Sequence, residues 1–258
     1  HTLRIGETVT RGLGSGGDIS RGALAAEYSQ EEIRRILSPY SLVLILAGLG
    51  GGTGSGAAPV IAQVARQCGA LVAGGPTLPF NVEGTRRQSR AQEGLQALAS
   101  SAHTQIEIAG DRLLQMLPPS TTLRSAFERM DGLVASAVTG VAGMILLPGL
   151  ISLDLTEILA LLQRGGNARF LTGEGEGPGR AAQALYASLE CPLLDRPLDQ
   201  AKGLLLTLFG GEDLLLEEVS QVLQGILQVF PPGTPICCDA KILPGMNTKA
   251  RLSAIAVF

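Results

Sequence analysis

The chain has 258 residues, of which 45% are hydrophobic and 3% aromatic, and it contains no tryptophan. That length permits one large domain or two modest ones, with a core built from Leu, Val, Ile and Ala. A net charge of −3 without a Lys/Arg cluster excludes a basic nucleic-acid binder. Cys68, Cys191, Cys237 and Cys238 lack metal-ligand spacing, so no metal site is expected, and they read as reduced thiols of a cytosolic protein.

A glycine turn, Gly12-Leu13-Gly14-Ser15-Gly16-Gly17-Asp18, comes first, and on its own it reads as a surface turn. Short apolar runs then alternate with amphipathic stretches. The pattern predicts helices at Ser29–Ile36, Ala57–Gln67, Arg87–Ala99 and Asp111–Leu117, and strands at Leu42–Ala47, Ala70–Gly74 and Gln105–Ala109. This is the alternation of a parallel α/β sheet. A long helix follows, with Phe127, Met130, Val134, Ala137, Val141 and Met144 at spacings of three and four, which predicts one continuous buried face. Pro148-Gly149 ends it. Gly173 to Gly179 reads as a flexible glycine-rich loop before a helix at Arg180–Leu189. A buried strand at Leu204–Phe209, a helix at Asp213–Val229 and strands at Pro235–Asp239 and Arg251–Val257 complete the chain. Ser41 to Ala65 carries no charge, yet the glycines from Gly48 to Gly56 are incompatible with a lipid-facing helix, so no membrane insertion is expected. The first residues also lack the apolar core of a secretory signal.

The segment Ala47-Gly-Leu-Gly-Gly-Gly-Thr-Gly-Ser-Gly-Ala-Ala-Pro59 sits between an expected buried strand and an expected helix. Glycines there let the backbone approach a ligand, and a helix N-terminus directs unpaired N–H groups at an anion. Pro59 suits a first helical turn. A phosphate cradle and a tight strand-to-helix connection both fit. A Walker loop does not, since Gly56 is followed by Ala57-Ala58 rather than Lys-Ser/Thr. A dinucleotide loop expects an acid after the next strand, where Gly74-Gly75-Pro76 stands, so a nicotinamide oxidoreductase is a poor fit. Glu83 and Arg87 are either ligand contacts or a surface ion pair. Phe127 and Asp131 share a helix face and could offer a ring and a carboxylate to one base, or be core and solvated surface. Asp154 and Glu157 could polarise a water, or form the capping box of the next helix.

Taken together, these segments resemble the tubulin/FtsZ superfamily. Gly50-Gly51-Gly52-Thr53-Gly54-Ser55-Gly56 is similar to its signature loop, and Ala57-Ala58-Pro59 resembles the bacterial FtsZ branch. Pro79-Phe80-Asn81-Val82-Glu83-Gly84 with Arg86-Arg87, the Phe127/Asp131 pair and Gly149 to Glu157 follow in family order, so the resemblance covers the whole chain. It implies an α/β fold: a parallel-sheet GTP-binding subdomain over 1–120, a central helix over 121–147 and a smaller α+β activation subdomain over 148–258. It implies GTP/GDP binding, with Mg2+ carried by the nucleotide. Gly14, Ser15 and Gly16 would sense the γ-phosphate, and Gly50, Gly51, Gly52, Thr53, Gly54 and Ser55 would cradle phosphates. Glu83 and Arg87 would meet ribose and nucleotide, while Phe127 and Asp131 would stack on and hydrogen-bond guanine. Asp154 and Glu157 would be the catalytic acids, acting on the GTP of a neighbouring subunit in a head-to-tail polymer.

The resemblance therefore implies a cytoplasmic cell-division GTPase acting at the division site, with itself and other division proteins as partners. The alternative is a non-hydrolysing interaction protein that caps or co-assembles with a complete homologue. The pattern departs from the family in three places. A strand, phosphate loop and helix, then another strand and loop, would be expected before His1, and a linker after Phe258. Ser152 stands where Asn is usual. Glu157 stands where Asp is usual, and the added methylene shifts the carboxylate by about an ångström, an offset that costs roughly 10²-fold in rate. Slow hydrolysis is expected.

Overall fold

Helices and strands alternate through the first part of the chain in the predicted order. The computed structural model describes residues 2–150, 155–163, 166–191, 193 and 196–258. By internal contacts the chain forms two units, His1–Arg112 with Leu162–Asn167, and Leu113–Leu161 with Ala168–Phe258. The first holds α1 (Glu7–Thr10), α2 (Ile19–Tyr28), α3 (Gln30–Leu37), β1 (Leu42–Gly48), α4 (Gly52–Gln67), β2 (Leu71–Leu78), α5 (Thr85–Ser101), β3 (Thr104–Ile106), β4 (Ile108–Ala109) and the start of α6 (Gly110–Met116). β1 pairs in parallel with β2 from Leu42↔Leu71 to Gly48↔Thr77, and β3 and then β4 run parallel on the other side of β2. Parallel neighbours need crossover segments, and α4 and α5 supply them.

Four expectations change in this unit. The helix after the glycine loop begins at Gly52 rather than Ala57, so Gly52 to Gly56 form its opening turns and Pro59 lies inside it. The glycine turn at 12–18 leads into α2, which the apolar pattern does not announce. Asp18 caps that helix by accepting from the backbone N–H of Ser20 (2.9 Å) and Arg21 (3.3 Å), the usual way of satisfying first-turn donors. The single expected strand at 105–109 is two short ones, β3 and β4. β1 is only half-buried: Ile45 is inside, but Leu46 is 44% exposed, because β1 is the edge of the sheet and pairs only with β2 among the described residues.

The second unit holds α7 (Leu123–Leu146), most of α8 (Leu155–Gln163) and of β5 (Gly166–Glu176), and then α9 (Arg180–Leu189), β6 (Gly203–Gly210), α10 (Leu216–Val229), β7 (Ile236–Ile242) and β8 (Lys249–Val257). Its sheet order is β5-β8-β6-β7, with β8 antiparallel to both neighbours and β6 parallel to β7. Every residue of β6 is buried, including Thr207 among the leucines, as a central apolar strand requires. α7 is long and apolar enough to cross a membrane, by length and composition, with 33% of that stretch buried; one face of it packs against the strands. A Cβ at Gly140 would stand 2.9 Å from Phe170 Cζ, and one at Gly143 would stand 3.0 Å from Phe209 Cζ.

Two expectations change here as well. The buried face of α7 starts at Ala126 and Met130, while Phe127 is 40% exposed and lies beside that face rather than on it. Gly173 to Glu176 is not a loop but the second half of β5. These glycines permit a close approach: a side chain at Gly173 would collide with Ala184 O and Ser188 N of α9, and one at Gly175 with Arg180 O. Only Gly177-Pro178-Gly179 turns, with positive φ at both glycines.

Candidate functional site

The glycines of 50–56 divide into two groups. A Cβ at Gly54 would collide with Gly48 O, one at Gly56 with Ile19 O, and one at Gly22 of α2 with Gly52 O. These positions let α2, α4 and the end of β1 touch backbone to backbone. Gly51, at φ −92°, faces open space. So do Gly12, Gly14 and Gly16 in the preceding turn, each at positive φ. Gly52 is the hinge between the groups, because its missing side chain leaves room for Asp18 and for the Ser15 hydroxyl. Ser15 Oγ then lies 3.1 Å from Thr53 Oγ1, which brings the two glycine turns together in one place. Of that pair Ser15 is buried and Thr53 exposed. Ser55 is buried too, and its hydroxyl accepts from the backbone N–H of Gly50 at 2.9 Å. It holds the loop and does not face outward.

α5 closes the other side of this cluster. A Cβ at Gly50 would stand 2.9 Å from Arg87 O, and one at Gly94 would stand 2.6 Å from Ser55 Cβ. Glu83 and Arg87 form the i,i+4 ion pair, and Glu83 Oε1 also accepts from the backbone N–H of Phe80 at 2.9 Å. Glu83 is thus engaged by its own turn, while Arg87 remains about half exposed. In the second unit Phe127 and Asp131 are exposed one helical turn apart on α7. Glu157 is exposed in the first turn of α8. Asp154 and Ser152 lie outside the described residues. Among the described residues, no three His, Cys, Asp or Glu side chains converge as a metal site.

Three charged groups escape sequence reasoning. Arg180 is buried at the start of α9 and donates to Glu218 Oε1 and Oε2 (2.8 and 2.9 Å), to Asp213 Oδ2 (2.8 Å) and to Asp213 O (2.8 Å). Glu218 above all, then Asp213, pushes the guanidinium pKa further up. In return, Arg180 is the main cause holding the Glu218 carboxyl below its ordinary value, and for Asp213 the backbone N–H of Thr248 contributes more than Arg180 does. Lys241 is buried in β7, where Nζ donates to Met144 O at 2.8 Å and to Leu147 O, 3.1 Å from Asp239 Oδ2. A cation at the last carbonyls of α7 suits the helix dipole. A lysine in the apolar run Ile236 to Ile242 was the available signal. His103 Nδ1 accepts from the backbone N–H of Val72 at 3.0 Å, and burial, helped by Arg66, pushes its pKa down.

The comparisons follow this division of the chain. Residues 1–118 match the Tubulin/FtsZ family, GTPase domain, and residues 166–257 match the FtsZ family, C-terminal domain. Cell division protein FtsZ 1 of Pyrococcus horikoshii is 39% identical over 253 residues, covering 98% of this chain and 68% of that protein. Cell division protein FtsZ of Methanothermobacter thermautotrophicus is 37% identical, over 98% and 66%. The solved FtsZ dimer of M. jannaschii superposes with a TM-score of 0.93 at 36% identity, covering 98% of this chain and 74% of that one. CetZ1 from Haloferax volcanii, a GDP-bound monomer, shares the fold at a TM-score of 0.82 and 20% identity, over 98% and 77%. Fold and loop together define a tubulin-type GTPase, with an α/β nucleotide subdomain, a central helix and a C-terminal domain. Within that class the chain belongs to the FtsZ family of cell-division GTPases. It spans about two thirds of the length of these two curated relatives. Both come from archaea, so the placement is FtsZ and not specifically its bacterial branch.

Proposed function

We propose that this chain binds GTP through the two glycine turns of its first unit, polymerises head to tail into protofilaments, and hydrolyses GTP as it does so. The observation that carries the reading is the Ser15–Thr53 hydroxyl pair, 3.1 Å apart, with unobstructed Gly12, Gly14, Gly16 and Gly51 around it. The exposed Thr53 hydroxyl, held by the buried Ser15, and the N-terminus of a 16-residue helix suit phosphate oxygens. Gly50, Gly52, Gly54 and Ser55 shape the cradle from behind. Arg87 adds a cation, and Glu83 fixes the turn that presents it. Phe127 and Asp131 offer a ring and a carboxylate for guanine, whose N1–H and N2–H₂ are a donor pair that adenine lacks. Mg2+ would arrive on the nucleotide, since it favours phosphates and water over protein cages.

Asp154 and Glu157 remain the proposed hydrolytic acids, supplied to the nucleotide of the next subunit. Phosphoryl transfer asks mainly for positioning and charge stabilisation, so the longer Glu157 side chain supports slow turnover. The subdomain roles proposed are nucleotide binding over 1–120, the central helix over 121–147 and activation over 148–258. Action in the cytoplasm at the division site, with further division proteins as partners, completes the proposal. A bacterial rather than archaeal character rests on Ala57-Ala58-Pro59 alone.

The test is binding of GTP, GDP and ATP to the purified chain by calorimetry, followed by light scattering and phosphate release with GTP and Mg2+ over a range of protein concentrations. Guanine-selective binding with concentration-dependent turnover is expected. Binding without assembly or turnover would favour the non-hydrolysing alternative, and equal binding of ATP would remove the role of Phe127 and Asp131.

A further inference from the structure

We propose that Arg90 reads the terminal phosphate of the bound nucleotide and so sets the preference of the site for GTP over GDP. The inference rests on the functional reading above. Arg90 lies one turn beyond Arg86 and Arg87 on α5, half-buried. Its guanidinium covers the backbone of Gly17: a Cβ there would stand 2.6 Å from Nη1, 3.1 Å from Cζ and 3.2 Å from Nη2. Gly17 is glycine for its backbone conformation, at φ +80°, and the arginine lies over it. The same turn carries Gly14, Ser15 and Gly16, and Ser15 meets Thr53. Arg90 is therefore held against the loop that meets the first turn of α4.

No carboxylate or carbonyl among the described residues pairs with this guanidinium, in contrast to Arg87. Arg87 is paired with Glu83. Asp18, the acid closest in sequence to Gly17, directs its carboxylate to Ser20 and Arg21. A half-buried cation over the turn whose Ser15 meets Thr53 is placed to receive an anion. Guanidinium has the planar donor fork that phosphate oxygens fit. GTP differs from GDP by one phosphate and about one unit of negative charge. An uncommitted cation at the phosphate loop therefore stabilises the triphosphate more than the diphosphate.

The experiment measures affinities of a slowly hydrolysed thio analogue of GTP and of GDP for the parent chain, Arg90→Met and Arg90→Lys, at two salt concentrations, with circular dichroism to check folding. Arg90→Met should lose about tenfold in affinity for the triphosphate and less than twofold for GDP. Arg90→Lys should fall between, because it keeps the charge without the fork. A parent chain that binds both nucleotides with a ratio unchanged in folded Arg90→Met and Arg90→Lys overturns the role of Arg90 alone. Equal losses for both nucleotides overturn its discrimination between them. Failure of the parent chain to bind either nucleotide overturns the functional reading itself, and this inference with it.

Discussion

The glycines of 50–56 and those of 173–179 sit in different surroundings. In the second segment Gly173 and Gly175 are covered by the backbone of α9, and only the tip at 177–179 is open. In the first, Gly54 and Gly56 are covered by β1 and α2 in the same fashion, but Gly51 is uncovered, beside an equally uncovered turn at 12–16. One segment is a packing device that ends in an open turn. The other is a packing device that leaves one face bare, next to hydroxyls and an arginine, Arg90, with no carboxylate partner among the described residues. A glycine-rich sequence signals close approach, and the tertiary neighbours decide whether the approaching group is a helix or a ligand.

The comparison can be broken most forcefully at Arg180, which ties α9, the helix lying on Gly173 and Gly175, to α10. Arg180→Met strands the half-buried Glu218 without its partner and should destabilise the chain by about 3–5 kcal/mol in urea unfolding. A loss under about 1 kcal/mol would show that α9 is held by its apolar contacts alone. Next, Gly173→Ala should cost about 1–3 kcal/mol or more, because the methyl meets backbone atoms that cannot step aside. Gly51→Ala should change stability by less than about 0.5 kcal/mol while weakening guanine-nucleotide binding. If the two alanines destabilise equally, the distinction between covered and open glycines fails.

The two regions should also separate by pH. His103, on the first unit's sheet, has its pKa below the ordinary 6.5, so the folded state resists its protonation. Stability is full above that value and declines as pH falls below it, and His103→Gln should flatten thermal melts taken between pH 7.5 and 5.5. Asp213 and Glu218 have pKa values below their ordinary 3.8 and 4.5. Their contribution is present above those values and is lost only as pH falls further, toward the lowered values of the folded state. Hydrogen exchange in the first unit should therefore accelerate at a higher pH than in the second, and simultaneous acceleration would contradict this assignment. Smallest of all, Arg87→Ala removes a partly exposed pair and should cost about 0.2–1 kcal/mol, with its main effect on nucleotide affinity.

Much of the fold is legible in the residues themselves. Apolar runs of strand length, three-and-four spacing in α7 and the Pro148-Gly149 stop are local signals, and β1, β2, α4, α5, α7, α9, β6, α10, β7 and β8 fall near where those signals place them, whereas α2 and β5 carry none. The ordered series of motifs carried the family, and the match to FtsZ relatives over nearly the whole chain agrees with it. What the sequence could not decide was every matter settled by a distant neighbour. The lengthening of β5 through Gly175, Lys241 reaching the end of α7 and Arg90 settling on Gly17 all join residues far apart in the chain, and the exposure of β1 depends on its place at the sheet edge. Local patterns record the backbone preferences of adjacent residues. Which surface meets which is fixed only when the elements pack, and there the absence of a single Cβ can admit a helix, a side chain or a phosphate.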